Sequence, residues 1–213
     1  VIGFGSQGSA QAMCMKDSGL NVIVGLRANS KSVKAAKDYG FEVYSVSDAV
    51  KSADIIHVLL PDQVQAQVYE KEMKPFLNEK KALSFSHGFN IVFGFIKPPK
   101  NIDVFMLAPH SPGPEQRRLF LEGKGVPGLI AVHQNVSGNA KNFALAMSKA
   151  CGFTRVGVYE CKFEEETYSD LFAEEAVLCG GLSELVKAGF DTLVKKGFQP
   201  EMAYFACAYE VKL

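Results

Sequence analysis

The string Gly3-Phe4-Gly5-Ser6-Gln7-Gly8, at the start of the chain, limits the possible folds more than any other feature. Val1-Ile2 before it reads as the end of a strand, and Gly8 to Ser18 after it reads as a helix. In that setting each glycine of a G-x-G-x-x-G string has a purpose. They permit a tight turn, a close approach of backbone to a pyrophosphate, and close packing of helix on strand, while the helix N-terminus faces the phosphates. Glycine-rich turns are common, but the strand–turn–helix context is the one a dinucleotide site requires, so a dinucleotide-binding domain is predicted.

The next segments repeat the theme. Asn21 to Leu26, Asp54 to Leu60, Lys81 to Phe85, Ile102 to Leu107 and Leu129 to Val132 are strand-like apolar runs. Between them lie helix-like segments at Ser32 to Tyr39, Asp48 to Ser52, Gln63 to Phe76 and Asn139 to Cys151. Apolar strands alternating with helices predict an α/β fold, a Rossmann-type doubly wound parallel sheet covered on both faces. From Glu164 onward the apolar residues fall at helical spacing, and Pro200-Glu201 opens a last helix. This predicts a nucleotide-binding domain over 1–160, followed by the start of an all-helical domain over 161–213. The strand already under way at Val1 and the helical pattern still running at Leu213 predict a fragment of a longer protein.

Composition excludes several classes. With 47% hydrophobic and 22% charged residues among 213, the chain is not of the disordered type. Lys+Arg and Asp+Glu are both 23, so no basic field exists to hold nucleic acid or an anionic membrane surface. The longest nearly apolar run, Phe89 to Ile96, is too short to span a bilayer. Cys14, Cys151, Cys161, Cys179 and Cys207 are odd in number and lack metal-ligand spacing, which predicts reduced thiols. The expected location is cytoplasmic, or an organellar stroma or matrix.

Several positions carry candidate chemistry. An NAD-type site places a carboxylate at the end of the second strand to accept from the adenosine ribose. Here no carboxylate occurs between Asp17 and Asp38; instead Arg27, Ser30 and Ser32 offer a charge and hydroxyls suited to a 2′-phosphate, hence NADPH. The same loop also reads as a solvated basic turn with Ser32 capping the next helix. Leu60-Pro61-Asp62-Gln63 lies at the carboxyl edge of the sheet, with Asp62 as candidate N-cap. Ser86-His87-Gly88 ends the fourth strand run, where a histidine faces either a nicotinamide and its substrate or the protein interior. His57 and His133 read as packing residues. Asp170 and Glu174, at i and i+4, share one helical face as hard oxygen ligands for Mg²⁺ or as a solvated acidic face, and Glu210 is a lone candidate on the final helix.

The ordered set Gly3-Phe4-Gly5-Ser6-Gln7-Gly8, Asp17-Ser18-Gly19, Val24-Gly25-Leu26-Arg27, Leu60-Pro61-Asp62-Gln63, Ser86-His87-Gly88-Phe89, Ala108-Pro109, Pro112-Gly113-Pro114, Val132-His133-Gln134, Asp170-Leu171-Phe172 and Pro200-Glu201-Met202-Ala203-Tyr204-Phe205 resembles ketol-acid reductoisomerase (acetohydroxy-acid isomeroreductase), in its shorter-chain class, over essentially the whole chain. The resemblance implies an NADP-dependent oxidoreductase of branched-chain amino-acid biosynthesis. Its substrates would be 2-hydroxy-3-keto acids, 2-acetolactate or 2-aceto-2-hydroxybutyrate, converted to 2,3-dihydroxy acids by Mg²⁺-dependent alkyl migration and NADPH reduction. It also implies site residues: His87 as the active-site histidine, and Asp170, Glu174 and Glu210 as Mg²⁺ ligands. Phe4, Gly5, Ser6, Gln7, Arg27, Ser30, Ser32, Asp62, Gln63, Val64, Gln65 and Gly113 would contact NADPH. The last-helix carboxylate would come from a partner subunit, implying a homodimer or higher homo-oligomer.

Three departures accompany the match. His110 and Ser111 stand where the family has lysine and glycine, and Ala206 stands where it has a metal-binding glutamate; the family's substrate-binding serine would fall beyond Leu213. Alanine supplies no oxygen, and an imidazole does not reproduce a permanent ammonium. Two alternatives therefore stand beside the full activity: a divergent homologue that retains only NADPH-dependent 2-keto acid reduction, and a catalytically silent nucleotide-binding or assembly module.

Overall fold

Val1 to Gly3 is extended chain held from both sides. In the computed structural model, which describes residues 1–212, Ile2 bridges Gly25 on one side and Val58 on the other, both in parallel. The strands that follow are β1 (Ile23–Gly25), β2 (Glu42–Tyr44), β3 (Ile55–Val58), β4 (Ala82–Phe85), β5 (Asp103–Pro109), β6 (Gly128–Gln134) and β7 (Val158–Glu160). Ile2 joins the β1–β2 pair to β3, so the spatial order is β2-β1-Ile2-β3-β4-β5-β6-β7. The glycine string therefore leaves the centre of the sheet, where strand order reverses and α/β folds keep their ligands.

The helices are α1 (Ser6–Asp17), α2 (Ser32–Asp38), α3 (Val46–Ser52), α4 (Asp62–Val68), α5 (Phe89–Val92), α6 (Gly113–Leu121), α7 (Ala140–Ala150), α8 (Phe163–Phe172), α9 (Gly181–Lys195) and α10 (Pro200–Tyr204). Alternation along β5 shows why the strand runs are apolar throughout. Phe105 and Leu107 join one core with Met15 of α1 and Ala144 and Met147 of α7, whereas Val104 and Met106 join the opposite core with Val50 of α3. Both faces are covered, so no polar alternation is possible.

One pairing departs from the expected parallel sheet. β5 and β6 are antiparallel, with Pro109 opposite Gly128 and Phe105 opposite Val132. His110 N donates to Pro127 O at 3.0 Å, so α6 is an excursion inside a broad hairpin-like return rather than a crossover. A strand buried on both faces reads the same in either direction, because period and apolarity carry no sign.

The chain divides into a unit Val1–Thr167 and a second from Tyr168 onward. In the first, Phe163, Glu166 and Thr167 are buried. In the second, a π-helical turn follows at Ala173–Leu178, and the segment after α10 is π-helical at Phe205–Tyr209 and 3₁₀ at Glu210–Lys212. Glu210 thus sits in a 3₁₀ turn rather than on a regular amphipathic α-helix; Leu213 lies outside the described residues. A Cβ on Gly189 would stand 3.2 Å from Cys207 Sγ, which shows α9 packed closely on that segment.

Candidate cofactor and active site

A cavity of about 790 Å³ opens at the carboxyl ends of β1, β3 and β4. Phe4, Gly5, Ser6, Gln7, Arg27, Ser30, Ser32, Asp62, Val64, Gln65 and His87 all line it, together with Ser86. Two of the expected cofactor contacts do not. Gln63, on the first turn of α4, is exposed and lies outside the cavity lining. Gly113 instead closes the joint between α6 and α1, where an added Cβ would meet Ser6 O at 2.1 Å.

The glycines of the first loop separate into two kinds. Gly3, at φ 101°, needs its freedom, and a Cβ there would lie 2.5 Å from Leu59 O; a Cβ on Gly8 would lie 2.6 Å from Gly3 O. A Cβ on Gly5 would meet nothing within 4 Å. Protein packing therefore does not demand glycine at position 5, yet the residue borders the cavity as N-cap of α1 and makes no side-chain cap. An open flank beside uncapped helix N–H groups fits a pyrophosphate approaching the backbone.

Arg27 is exposed and has no carboxylate partner among the described residues. Ser32 is not a cap: α2 begins at Ser32, and Ser30 Oγ accepts from Ser32 N at 3.3 Å. Asp62 is likewise the first residue of α4, with Pro61 before it as the N-cap. The loop at Asp62 is held from behind, because Asn90 Nδ2 donates to Asp62 O at 3.1 Å and to Gln65 Oε1 at 3.2 Å. Gln65 Nε2 in turn donates to Leu60 O at 2.7 Å, so Gln65 shapes the wall with its amide committed inward.

His87 is positioned by a residue that motif reading passed over. Its Nδ1 lies 2.9 Å from Glu166 Oε1, and Glu166 is only 4% exposed. A carboxylate only accepts, so Nδ1 carries the proton in this bond. Glu166 Oε2 also accepts from Gly88 N at 2.9 Å and from Thr167 Oγ1 at 3.2 Å. Gly88 is required here, since a Cβ would lie 2.2 Å from Thr167 Oγ1. The signal in the sequence was the recurrence of Glu166, Asp170 and Glu174 every four residues, obscured by the neighbouring Glu164 and Glu165.

Asp170 is half-buried and Glu174 and Glu210 are exposed. Among the described residues these three are not gathered into one ligand set. Their oxygen chemistry suits a hard cation such as Mg²⁺. His57 and His133, read as packing residues, lie in β3 and β6; burial pushes the His57 imidazole down to about 3 and lowers His133 as well.

A glycine loop at the switch point of a doubly wound sheet, next to the Arg27–Ser30–Ser32 turn and a buried-carboxylate–histidine pair, defines a protein of the nicotinamide-dinucleotide-binding class. Residues 1–157 match the family model described as acetohydroxy acid isomeroreductase, NADPH-binding domain, and residues 163–213 match ketol-acid reductoisomerase, C-terminal domain. The chain belongs to the acetohydroxy acid isomeroreductase (ketol-acid reductoisomerase) family. It is 61% identical to a ketol-acid reductoisomerase (NADP(+)) of Petrotoga mobilis and 59% identical to one of Akkermansia muciniphila, over all of this chain and 64% and 65% of those proteins. A solved NADH-preferring ketol-acid reductoisomerase from an uncultured archean superposes with a TM-score of 0.95 at 54% identity, over 99% of this chain and 65% of that one. The chain thus spans just under two thirds of the length of these relatives.

Proposed function

We propose that the protein acts as a ketol-acid reductoisomerase, rearranging and reducing 2-acetolactate or 2-aceto-2-hydroxybutyrate with NADPH and Mg²⁺. The observation that carries this reading is that the glycine loop, the Arg27–Ser30–Ser32 turn and His87 line one cavity. The N–H groups opening α1 bind the pyrophosphate beside the open flank of Gly5. Arg27, with the hydroxyls of Ser30 and Ser32, binds the 2′-phosphate, where an NADH site would carry a carboxylate. Asp62, Val64 and Gln65 form the wall facing the dinucleotide. Glu166 fixes the imidazole of His87, which moves a proton at the substrate oxygens. When bound, NADPH supplies the hydride and Mg²⁺ polarises the substrate oxygens.

Asp170 and Glu174 hold the metal with the partner subunit's Glu210, which accounts for their not gathering within one chain and makes the working form a homodimer or larger. The nucleotide-binding domain is taken as 1–160 and the helical metal domain as beginning at 161. Among the described residues no helix is long and apolar enough to cross a membrane. The proposed setting is cytoplasmic, or an organellar stroma or matrix.

The test is a Mg²⁺ titration while NADPH oxidation is followed, once with 2-acetolactate and once with a 3-hydroxy-2-keto acid. Turnover of both is expected. Turnover of the keto acid alone makes the protein a reductase without isomerisation, and turnover of neither makes it a binding module.

A further inference from the structure

Gln11 and His57 do not line the cavity, yet both belong to a hydrogen-bonded chain that ends in it. His57, in β3, is 1% exposed, and Gln11, in α1, is 0% exposed. The imidazole Nδ1 lies 2.9 Å from Ser84 Oγ, and Nε2 lies 2.8 Å from Gln11 Oε1. Gln11 Nε2 donates to Gln7 Oε1 at 3.1 Å and to Ser86 Oγ at 3.0 Å. The chain then terminates on backbone: Ser86 Oγ donates to Leu107 O at 2.9 Å, and Gln7 Nε2 donates to Ser111 O at 2.8 Å.

With the Gln11 oxygen facing His57, the donor and acceptor inventory gives a consistent arrangement, in which Ser86 Oγ lies 3.0 Å from Gln11 Nε2 and 3.4 Å from Gln11 Oε1. Gln11 Oε1 only accepts, so His57 carries its proton on Nε2 and accepts from Ser84 at Nδ1. With its oxygen committed to His57, Gln11 must aim its amide protons at Gln7 and Ser86. Burial keeps the ring neutral, pushing it down to about 3, so the arrangement persists through the physiological range. Ser84 satisfies only Nδ1, and the buried imidazole still needs a partner at Nε2, which Gln11 supplies. Here the bonding runs on to two residues that face the cavity, one on the glycine loop and one beside His87.

We propose that Gln11 and His57 are positioning residues for the dinucleotide, holding Gln7 of the glycine loop and Ser86 at the end of β4 in one hydrogen-bonded register. The inference rests on reading the cavity as the NADPH site. Without Gln11, Gln7 Oε1 and Ser86 Oγ each lose a donor, their side chains gain freedom, and binding must order them anew.

The test measures NADPH dissociation constants by fluorescence titration, with melting temperatures alongside, for the parent protein, His57→Leu, His57→Gln, Gln11→Met and the double variant His57→Leu/Gln11→Met. His57→Leu and Gln11→Met are each expected to weaken NADPH about tenfold. His57→Gln retains an amide donor toward Gln11 Oε1 and should stay within about twofold of the parent. Because His57 acts through Gln11, adding His57→Leu to Gln11→Met should weaken binding no further. An unchanged affinity in Gln11→Met, which preserves the side-chain volume, overturns the proposal even if His57→Leu fails to fold. Additive losses, or losses in His57→Gln equal to those in His57→Leu, also overturn it. A parent that binds no NADPH overturns the reading of the cavity itself.

Discussion

Arg27 and His57 show two ways in which one side chain sets behaviour. Arg27 is exposed at the end of β1 beside Ser30 and Ser32, and the three line the cavity where an adenosine 2′-phosphate would lie. Arg27→Asp with Ser32→Asp replaces a cation and a hydroxyl by ribose-accepting carboxylates, and the ratio of NADPH to NADH affinity should invert. Selectivity unchanged in paired titrations would remove these residues from the phosphate site. His57 acts through desolvation. It titrates near 6.5 when exposed but near 3 when buried in the fold, so between those values the unfolded chain takes up a proton that the folded chain refuses. Its contribution to stability is complete above about pH 6.5 and is lost progressively toward pH 3. Melting temperatures followed from pH 7.5 down to 4 should fall more steeply for the parent than for His57→Gln; parallel curves would contradict the assignment. Histidine in the run Asp54 to Leu60 was legible as a packing residue, but its partners were not, because Gln11 and Ser84 approach it only across three elements.

The joint between α1 and its neighbours separates a glycine that protein packing demands from one that it does not. A Cβ on Gly113 would stand 2.1 Å from the Ser6 carbonyl, backbone that has nowhere to move, whereas a Cβ on Gly5 would meet no protein atom within 4 Å. Gly113→Ala should therefore cost about 1–3 kcal/mol in denaturant unfolding, the usual range for overpacking. Gly5→Ala should leave stability within about 0.5 kcal/mol yet weaken NADPH severalfold. Equal behaviour of the two variants in unfolding and binding assays would refute the distinction. Both were read from the sequence as cofactor contacts, and spacing alone could not separate them: a glycine looks the same whether its missing side chain makes room for a helix or for a phosphate. Glu166 is the converse case. It was hidden in an acidic run, and only the packing of α8 against the Ser86–Gly88 turn shows that this carboxylate alone of Glu164, Glu165 and Glu166 is buried, bonded to His87 and Gly88.

At the scale of the whole molecule the question is how a two-part chain completes a metal site. Among the described residues the carboxylates at 170, 174 and 210 are not gathered into one set, and Ala206 supplies no oxygen where the resemblance implies a glutamate. Ala206→Glu with His110→Lys should raise Mg²⁺-dependent turnover of 2-acetolactate at least tenfold over the parent, by adding a ligand and a permanent cation. No rise in a coupled NADPH assay would mean that these two positions do not limit the reaction. By itself the sequence determined the glycine turn at the sheet centre, the apolar strands covered on two faces, the basic, hydroxyl-bearing loop after β1 and the change to helices after residue 160, since each is written in local spacing and residue type. Tertiary structure alone decided the antiparallel return of β6 along β5, the clasp of Glu166 on His87, the contact of Gly113 with Ser6 and the path from His57 through Gln11 to the cavity. Local periodicity specifies which face a residue turns inward. The partner met there depends on strands and helices far apart in the chain, and a buried polar group must take whichever donor or acceptor the fold brings to it.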